Sequence, residues 1–293
     1  MKPFWTAPQQ PNDGGTRGLK FTFKGGKCAV TDYKGQETEV TVPPRRRKHP
    51  VTDVGDGAFL GDKIRRVILP EGVERIGDYA FECCYWLTEI HLPSGLTRIG
   101  KNAFLDCCRL AHLTVPDSVT EIGYAALDGT AYMSNPAHWE NDAFFIGGHV
   151  LAVRTSVQGD YTVGERFRYI SEYAFEECEG IRTIRLPAGL LRIGRWAFFR
   201  CRGLSEITLP EGVLSVGRFA FSECEGMEEI TLPKSLTTLG DYVFSDCPRL
   251  TAVHYAGTRA EWAQMEKGME CFKGTPDSLF IHCADGDLQK SEA

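Results

Sequence analysis

The chain contains 293 residues, with 33 lysines and arginines, 39 aspartates and glutamates, and a formal net charge of −6. These mixed signs and the slight acidic excess exclude a protein that holds nucleic acid by overall charge, so no nucleic-acid partner is predicted. No apolar run reaches the roughly 18 residues of a membrane-spanning helix, so no membrane insertion is predicted either.

The amino-terminal region is predicted to be a polar segment followed by a β cap. Residues 1–17 are polar and contain Gly and Pro, which predicts disorder. In residues 18–42, Phe21 and Phe23, and then Cys28 and Val30, alternate with polar residues, which predicts two or three strands. The start of the chain lacks the apolar stretch of a secretory signal. We therefore expect a cytoplasmic protein, with a cell-surface or secreted location as the alternative if a leader has been removed.

A short basic run, Pro44–His49, enlarges the first repeat unit. A run of this kind can contact an anion or nucleic acid. It is short and contains no interleaved aromatic residues, so we predict a solvated loop instead.

A short apolar tag that ends in proline returns at a constant interval. The tag ends at Pro70, Pro93, Pro116, Pro187, Pro210 and Pro233, with steps of 23 residues inside each group of three. A period of roughly 20–50 residues indicates a stacked array of small units. Residues 43–127 and 171–254 are therefore predicted to be regular repeats.

Each unit is predicted to be a coil of short pieces around a shared apolar interior. Residues 110–115 read as a short strand that Pro116 ends, because proline has no N–H to donate. Residues 96–99 form a second extended piece, and Gly100 allows a sharp corner. Ala103 and Phe104 then begin a tight helical or 3-10 turn, with the phenylalanine inward. No unit can bury this face alone, so the stack is the folding unit.

Two segments depart from the repeat. Residues 128–170 are predicted to be an irregular island, in which residues 143–146 and 150–153, joined by Gly147 and Gly148, form a β-hairpin. Residues 255–283 are predicted to form a carboxy-terminal cap, with a helix from Thr258 through Met265 and a strand near residues 279–281. Residues 284–293 are predicted to be a disordered tail.

The motifs Ile-x-Leu-Pro, Ile-Gly-x-x-Ala-Phe and Phe-x-x-Cys, together with both caps, resemble the BspA-like (Treponema pallidum-type) leucine-rich repeat family over nearly all of residues 18–283. The resemblance implies a repeat solenoid, a right-handed and mostly β coil of 23-residue units with short 3-10 or helical turns. A β cap is implied at the amino end and a helix–strand cap at the carboxyl end. The resemblance also implies a bacterial protein. Many relatives are surface or secreted proteins.

Six of the 11 cysteines share one repeat position. They are Cys84, Cys107, Cys178, Cys201, Cys224 and Cys247. A disulfide ladder or a metal array would use such a column. Adjacent coils are about 4.8 Å apart, farther than the roughly 3.8 Å between the Cβ atoms of a disulfide. We therefore predict a column of buried free thiols.

A column of aromatic residues precedes the alanine of the last four repeats. It consists of Tyr173, Trp196, Phe219 and Tyr242, with Arg195 and Arg218 beside it. An exposed aromatic stripe with arginines has the composition of a partner-binding interface. The alternative is that each ring lies flat over the neighbouring coil and fills a groove. The other arginines between residues 182 and 218 lie next to acidic turns, which predicts cross-coil salt bridges, with a basic partner-binding patch as the alternative.

The residues that flank the central apolar position of each strand are predicted to line the concave face. The candidates are Glu89, His91, His112, Arg185, Glu206 and Glu229. Glu89, His91 and His112 would lie close enough for a metal site or an acid–base pair. No third strong ligand or orienting group is indicated, so we predict a solvated polar face, no metal and no catalytic residue.

These observations favour a non-enzymatic, monomeric scaffold that binds a protein or peptide through its repeat surface. No G-x-S-x-G, phosphate-binding loop, dinucleotide fingerprint or H-E-x-x-H motif is present, and no cofactor is predicted. The alternatives are a bacterial cell-surface adhesin or carbohydrate-contacting module and, more remotely, a metal- or thiol-dependent enzyme.

Overall fold

The computed structural model describes residues 15–292, which form two compact units that meet in sequence at Pro136 and Ala137. Each unit is a stack of short coils, so the predicted fold class, a mostly β repeat solenoid, is confirmed. The boundary between the units lies inside the predicted island of residues 128–170. A short 3-10 helix, Pro136–His138, spans this boundary.

Unit 1, residues 15–136, contains two sheets. Its strands are β1 (Leu19–Lys24), β2 (Lys27–Tyr33), β3 (Glu39–Thr41), β4 (Arg45–Arg46), β5 (His49–Val54), β6 (Arg66–Ile68), β7 (Arg75–Ile76), β8 (Glu89–His91), β9 (Arg98–Ile99) and β10 (Glu121–Ile122). One sheet has the order β1-β2-β5-β7-β9-β10, with β4 paired to β5, and the other has the order β3-β6-β8. The antiparallel pair β1 and β2 closes the first sheet, which confirms the β cap.

Unit 2, residues 137–292, repeats this plan. Its strands are β11 (Trp139–Glu140), β12 (Ala143–Ile146), β13 (His149–Val153), β14 (Gly159–Thr162), β15 (Tyr169–Ile170), β16 (Ile181–Arg185), β17 (Arg192–Ile193), β18 (Glu206–Thr208), β19 (Ser215–Val216), β20 (Glu229–Leu232), β21 (Thr238–Leu239), β22 (Ala252–Tyr255), β23 (Glu266–Lys267), β24 (Phe280–Cys283) and β25 (Gly286–Gln289). The sheet orders are β11-β12-β13-β15-β17-β19-β21-β23 and β14-β16-β18-β20-β22-β24-β25. The helix α1 (Arg259–Gln264) lies between β22 and β23.

The predicted hairpin and the carboxy-terminal cap are both present. Strands β12 and β13 pair antiparallel, and β13 then pairs parallel with β15, so the hairpin begins the stack of unit 2. Helix α1 starts after Thr258, whose side chain accepts from the Glu261 amide while the Glu261 carboxylate accepts from the Thr258 amide. This reciprocal capping box satisfies two amides at the start of the helix. Strand β24 is the predicted final strand.

A column of stacked phenylalanines forms the centre of each unit. In unit 2, Phe175, Phe198, Phe221 and Phe244 are fully buried, with ring centroids 4.8 to 5.9 Å apart. In unit 1, the Phe81 ring lies 5.3 Å from the Phe104 ring at an interplanar angle of 2°. The isoleucine, leucine and alanine columns pack around these rings. The repeat is therefore defined by positions whose side chains have no access to solvent.

The cysteine column is buried and reduced, as predicted. All eleven cysteines are free, and the six at the repeat position are buried. The Cys224 thiol donates to the Phe198 carbonyl of the preceding coil at 3.2 Å, and the Cys247 thiol donates to the Phe221 carbonyl at 3.1 Å. Burial raises the pKa of Cys84, Cys178 and Cys247 to about 12, from an ordinary value of 9.0.

Several local predictions were wrong. The basic run is a tight hairpin of β4 and β5 rather than a loop, and Arg46 and Arg47 lie over the cap rings of Phe21 and Phe23. Residues 110–115 form no strand, because the next turn of chain meets them through one hydrogen bond, from the Tyr132 amide to the Leu110 carbonyl.

The predicted disorder of residues 1–17 falls mostly outside the described residues, and the predicted disorder of the tail is wrong for residues 286–292. Residues 1–14 lie outside the described part of the chain, but the Thr16 amide donates to the Thr41 carbonyl at 2.9 Å. At the other end, Gly286–Gln289 form β25, because their backbone pairs antiparallel with β24, and Lys290–Glu292 form a 3-10 turn.

We expect Phe221→Ala to lower the free energy of unfolding by about 3–5 kcal/mol, because it removes a fully buried ring with a ring on each side. Urea denaturation followed by circular dichroism measures this change. Leu214→Ala is the control: this side chain is 48% exposed, and its loss should cost less than about 1 kcal/mol. Equal effects of the two substitutions would contradict a stack centred on the phenylalanine column.

We expect thiol reactivity to divide the cysteines by burial. At about pH 8, the exposed Cys108 should react with a thiol reagent at once, and Cys83 and Cys283 more slowly. The eight buried thiols should react only in denaturant. Raising the pH toward 10 should leave Cys84 and Cys247 unreactive, because a thiol whose pKa is raised to about 12 stays protonated there. Rapid native labelling of all eleven would contradict this structure.

Candidate binding surface

A hydrogen-bonded turn connects the two sheets in every coil. In unit 2, the amides of Trp196, Phe198 and Arg200 donate to the carbonyls of the equivalent turn in the next coil, at 2.8 to 3.0 Å. Gly217 lies just before the next turn. A Cβ there would lie 2.6 Å from the backbone nitrogen of Arg195, so adjacent turns approach too closely for a side chain at this position. Successive turns are therefore held in strict register.

The residue that begins this turn has a left-handed backbone conformation, with a positive φ, in every regular coil. Tyr173, Trp196, Phe219 and Tyr242 have φ angles of 59°, 50°, 56° and 55°. A left-handed backbone costs an ordinary L residue about 1–2 kcal/mol, and Gly, Asn and Asp tolerate it best. Bulky aromatic residues at four successive left-handed positions are therefore unusual.

These four residues form the aromatic ladder, a continuous stack of half-buried rings. The centroids of Tyr173 and Trp196, and of Trp196 and Phe219, are 5.1 Å apart, and those of Phe219 and Tyr242 are 4.9 Å apart. Interplanar angles of 8° to 15° make the rings nearly parallel. The rings thus lie flat over their neighbours, as one sequence interpretation proposed, while they remain partly accessible to solvent. Their role in binding a partner stays a prediction.

The two predicted arginines lie beside the ladder and are exposed. The Arg218 guanidinium lies 4.7 Å from the centroid of Phe219 and 5.7 Å from that of Tyr242, and its Nε is 3.9 Å from a carboxylate oxygen of Asp241. The Nε of Arg195 is 3.8 Å from a carboxylate oxygen of Glu172. Contacts this long leave most of each guanidinium's hydrogen-bonding capacity available to a partner.

Cross-coil salt bridges account for part of the arginine-rich segment, as predicted. Arg200 donates to Glu223 at 2.8 Å and to Glu177 at 3.2 Å, one coil away on each side. These two carboxylates raise the pKa of Arg200. Two other arginines, Arg182 and Arg185, have no carboxylate partner within residues 15–292.

The concave-face candidates of unit 1 do not converge. Glu89 pairs with Arg66 at 3.1 Å, while His91 lies 3.5 Å from Glu71. His112 is exposed and lies outside the sheet. The sequence only left open a convergence of Glu89, His91 and His112 and predicted a solvated polar face, and all three side chains are exposed.

The concave-face candidates of unit 2 lie on one sheet in the predicted register. Glu206 is the Cα partner of both Thr183 and Glu229 in the neighbouring strands, and all three flank buried isoleucines. Glu229 contacts His254 at 3.3 Å, while Arg185 is exposed on the neighbouring column. In the described residues no group of three histidine, cysteine or carboxylate side chains could hold a metal ion.

Sequence reasoning missed the left-handed backbone of the ladder position. Asn102 occupies this position in unit 1 with a φ of 54°, and Asn is among the residues that favour it. Gly57 occupies it as well, with a φ of 61°, so a glycine and an asparagine were the available signals. Sequence reasoning also missed Phe199, whose ring lies 4.7 Å from the Arg200 guanidinium beside the ladder.

Stacked coils with a short strand, a proline and an inward Phe-x-x-Cys turn define a leucine-rich repeat protein. The family model described as the BspA type leucine-rich repeat region matches six copies, in residues 39–139 and 159–275. The chain therefore belongs to the BspA-type leucine-rich repeat family.

Several similar solved structures are leucine-rich repeat proteins, and another is a pneumococcal antigen. The Treponema pallidum leucine-rich repeat protein is 24% identical, with 83% of this chain and 91% of that chain covered and a TM-score of 0.36. A leucine-rich cell surface protein from Faecalibacterium prausnitzii is 19% identical, with 89% and 99% covered and a TM-score of 0.40. The pneumococcal vaccine antigen PcpA is 16% identical, with 93% and 88% covered and a TM-score of 0.46. No curated protein matches this chain significantly.

Across the described part of the chain, no helix has both the length and the apolar character that crossing a membrane requires.

We expect Trp196→Asn to destabilise unit 2 less than Trp196→Ala, by about 1 kcal/mol, since both remove the ring but Asn tolerates a left-handed backbone. Urea denaturation of the two variants measures the difference. Phe199 supplies the control, because it is not among the residues with positive φ. At position 199 the Asn variant should be no more stable than the Ala variant. A Trp196→Ala variant as stable as Trp196→Asn would contradict the strain assigned to the ladder.

Proposed function

We propose that this protein is a non-enzymatic scaffold that binds a partner protein through the aromatic ladder of unit 2 and its two arginines. One observation carries the proposal. In unit 1 the fold accepts Gly57, Asn102 and Ala125 at the ladder position as well as Tyr79, so aromatic residues are not required there. Unit 2 nevertheless places four aromatic residues in succession, against the backbone preference. Bulky aromatic residues that the fold does not require, at a position where the backbone is strained, are a physical reason to suspect function.

The chemistry of the ladder favours a protein partner over a carbohydrate. Sugars bind aromatic residues through the ring faces, but the faces of Trp196 and Phe219 are covered by neighbouring rings at 4.9 to 5.1 Å. The rims and the guanidinium groups remain accessible. Trp, Tyr and Arg are the residues that contribute most to protein interfaces. The family adds support, because leucine-rich repeat proteins generally bind proteins.

A comparison of captured proteins tests this proposal. Immobilised wild-type protein, Trp196→Asn and Leu214→Asn would be incubated with a lysate of the source cells, and the captured proteins quantified by mass spectrometry. Leu214 is an exposed apolar residue that is not part of the ladder, so its variant controls for nonspecific apolar capture. We expect a partner retained by wild type and by Leu214→Asn to bind Trp196→Asn at least about 30-fold more weakly, as for a hot-spot tryptophan.

Two further results decide the outcome. Arg195→Gln combined with Arg218→Gln should weaken the same partner and leave the unfolding midpoint nearly unchanged, because both side chains are exposed. Equal retention by wild type and Trp196→Asn, with both proteins folded by circular dichroism, would overturn the ladder as the binding surface.

A further inference from the structure

The row of turn hydrogen bonds stops at the carboxyl end of unit 2. The amides of Tyr242, Phe244 and Asp246 donate to the last turn at 2.7 to 2.9 Å. In that last turn the equivalent amides belong to Glu270, Phe272 and Gly274, and the described residues contain no further coil after it. Within residues 15–292 none of these three amides has an acceptor.

The last turn keeps the backbone shape of the turns before it. Glu270 has a φ of 48° and Gly274 a φ of 72°, close to the 55° of Tyr242 and the 57° of Asp246. Because each earlier turn directs these amides toward the next coil, the amides of Glu270, Phe272 and Gly274 face outward from the end of the stack. Three unsatisfied main-chain donors at alternate residues are the donor pattern of an open strand edge.

The carboxy-terminal cap leaves this edge open. Strands β24 and β25 extend the neighbouring sheet, and Trp262 of α1 covers the Phe272 ring, with centroids 6.4 Å apart. A groove of about 450 Å³ opens along the last turn. It is lined by Lys267, Gly268, Glu270, Cys271, Phe272, Lys273 and Lys290. The neighbouring sheet continues through β24 and β25 while the other sheet ends at β23, so we take this stepped end to suit a single extended segment better than the flat end of a second copy.

The groove carries an excess of positive charge. Lys273 pairs with Glu270 at 3.0 Å, and Lys290 lies 3.6 Å from the exposed Asp277. Lys267 has no carboxylate partner among the described residues; its Nζ donates to the Trp262 carbonyl at 2.6 Å and lies 5.1 Å from the indole centroid. Burial lowers the pKa of Lys267, which an anion beside it would reverse.

We propose that this groove binds an extended acidic peptide segment. Its main-chain carbonyls accept from the amides of Glu270, Phe272 and Gly274 in place of a missing coil, and its carboxylates pair with the three lysines. This is the strand-addition mode of peptide recognition, in which main-chain bonds supply affinity and side chains supply selectivity. The site is separate from the aromatic ladder, so either proposal can fail without the other.

Amide hydrogen exchange and a nitrogen-15 NMR titration test the site on the full chain. In the free protein, the amides of Glu270, Phe272 and Gly274 should exchange much faster than those of Tyr242, Phe244 and Asp246. A blocked oligopeptide of alternating glutamate and alanine should slow the exchange of the first three and shift their resonances downfield. The same peptide with lysine in place of glutamate should do neither.

Substitutions of the lysines test the same peptide binding independently. Lys267→Gln and Lys273→Gln should each weaken binding of the glutamate peptide by about fivefold, and added salt should weaken that binding further. Lys234→Gln, an exposed lysine paired with Glu261 outside the groove, is the matched control and should leave binding unchanged.

Four results would overturn the proposal. The three amides could be protected in the free protein, or the lysine peptide could bind equally well. Sodium acetate alone could reproduce the full protection, which would assign the groove to small anions. Sedimentation could show a concentration-dependent dimer in which these amides become protected, which would assign the edge to a second copy.

Discussion

The row of main-chain hydrogen bonds through the turns is the constraint on which the rest of this structure depends. In the regular coils, three alternate amides of a turn that is followed by another coil donate to that coil, as from Trp196, Phe198 and Arg200 at 2.8 to 3.0 Å, and all of them point in one direction along the stack. This arrangement forces a left-handed backbone at the ladder position in every coil, at about 1–2 kcal/mol for an ordinary residue. Stacking of the buried phenylalanines offsets that cost only when a neighbouring coil is present. No coil is therefore stable alone, and the stack folds as a unit.

The same constraint explains why a thiol recurs in the core. The Phe198 carbonyl faces the interior, where the row of turn amides does not supply it with a donor from the neighbouring coil. The Cys224 thiol from the next coil does so at 3.2 Å. The same carbonyl also accepts from the Cys201 amide of its own turn at 3.2 Å, so the thiol adds a second donor that valine, which has a similar volume, would not supply. Where the cysteine is replaced, at Thr130 and Thr275, a hydroxyl donates to the equivalent carbonyl of its own coil at 2.6 and 2.7 Å.

The sequence predicted most of what the repeat buries, because a position with no solvent access in any coil tolerates few residue types. Pairing of charges across coils was also predictable, since a 23-residue spacing places Arg200 between Glu177 and Glu223. Polar segments were harder. Strand β25 depends on backbone pairing with β24, which its exposed side chains do not reveal. The ladder required the backbone as well: an aromatic residue before alanine looks the same in sequence whether its face is open or covered, and only the left-handed turn stacks the rings.

Hydrogen bonds that all point one way make the two ends of a stack chemically different. A stack that gives its amides to the next coil ends in free donors on one side and free acceptors on the other. Sheet edges of this kind invite uncontrolled pairing, and the antiparallel pairs β1–β2 and β24–β25 close the sheets against it. The turn row of unit 2 is not closed in this way. Three lysines, Lys267, Lys273 and Lys290, lie around its exposed donors, so in our proposal the edge attracts an anionic acceptor and disfavours a basic one. An open edge in a repeat protein can pair with any extended chain. In our proposal the lysines around this edge restrict the pairing to acidic segments.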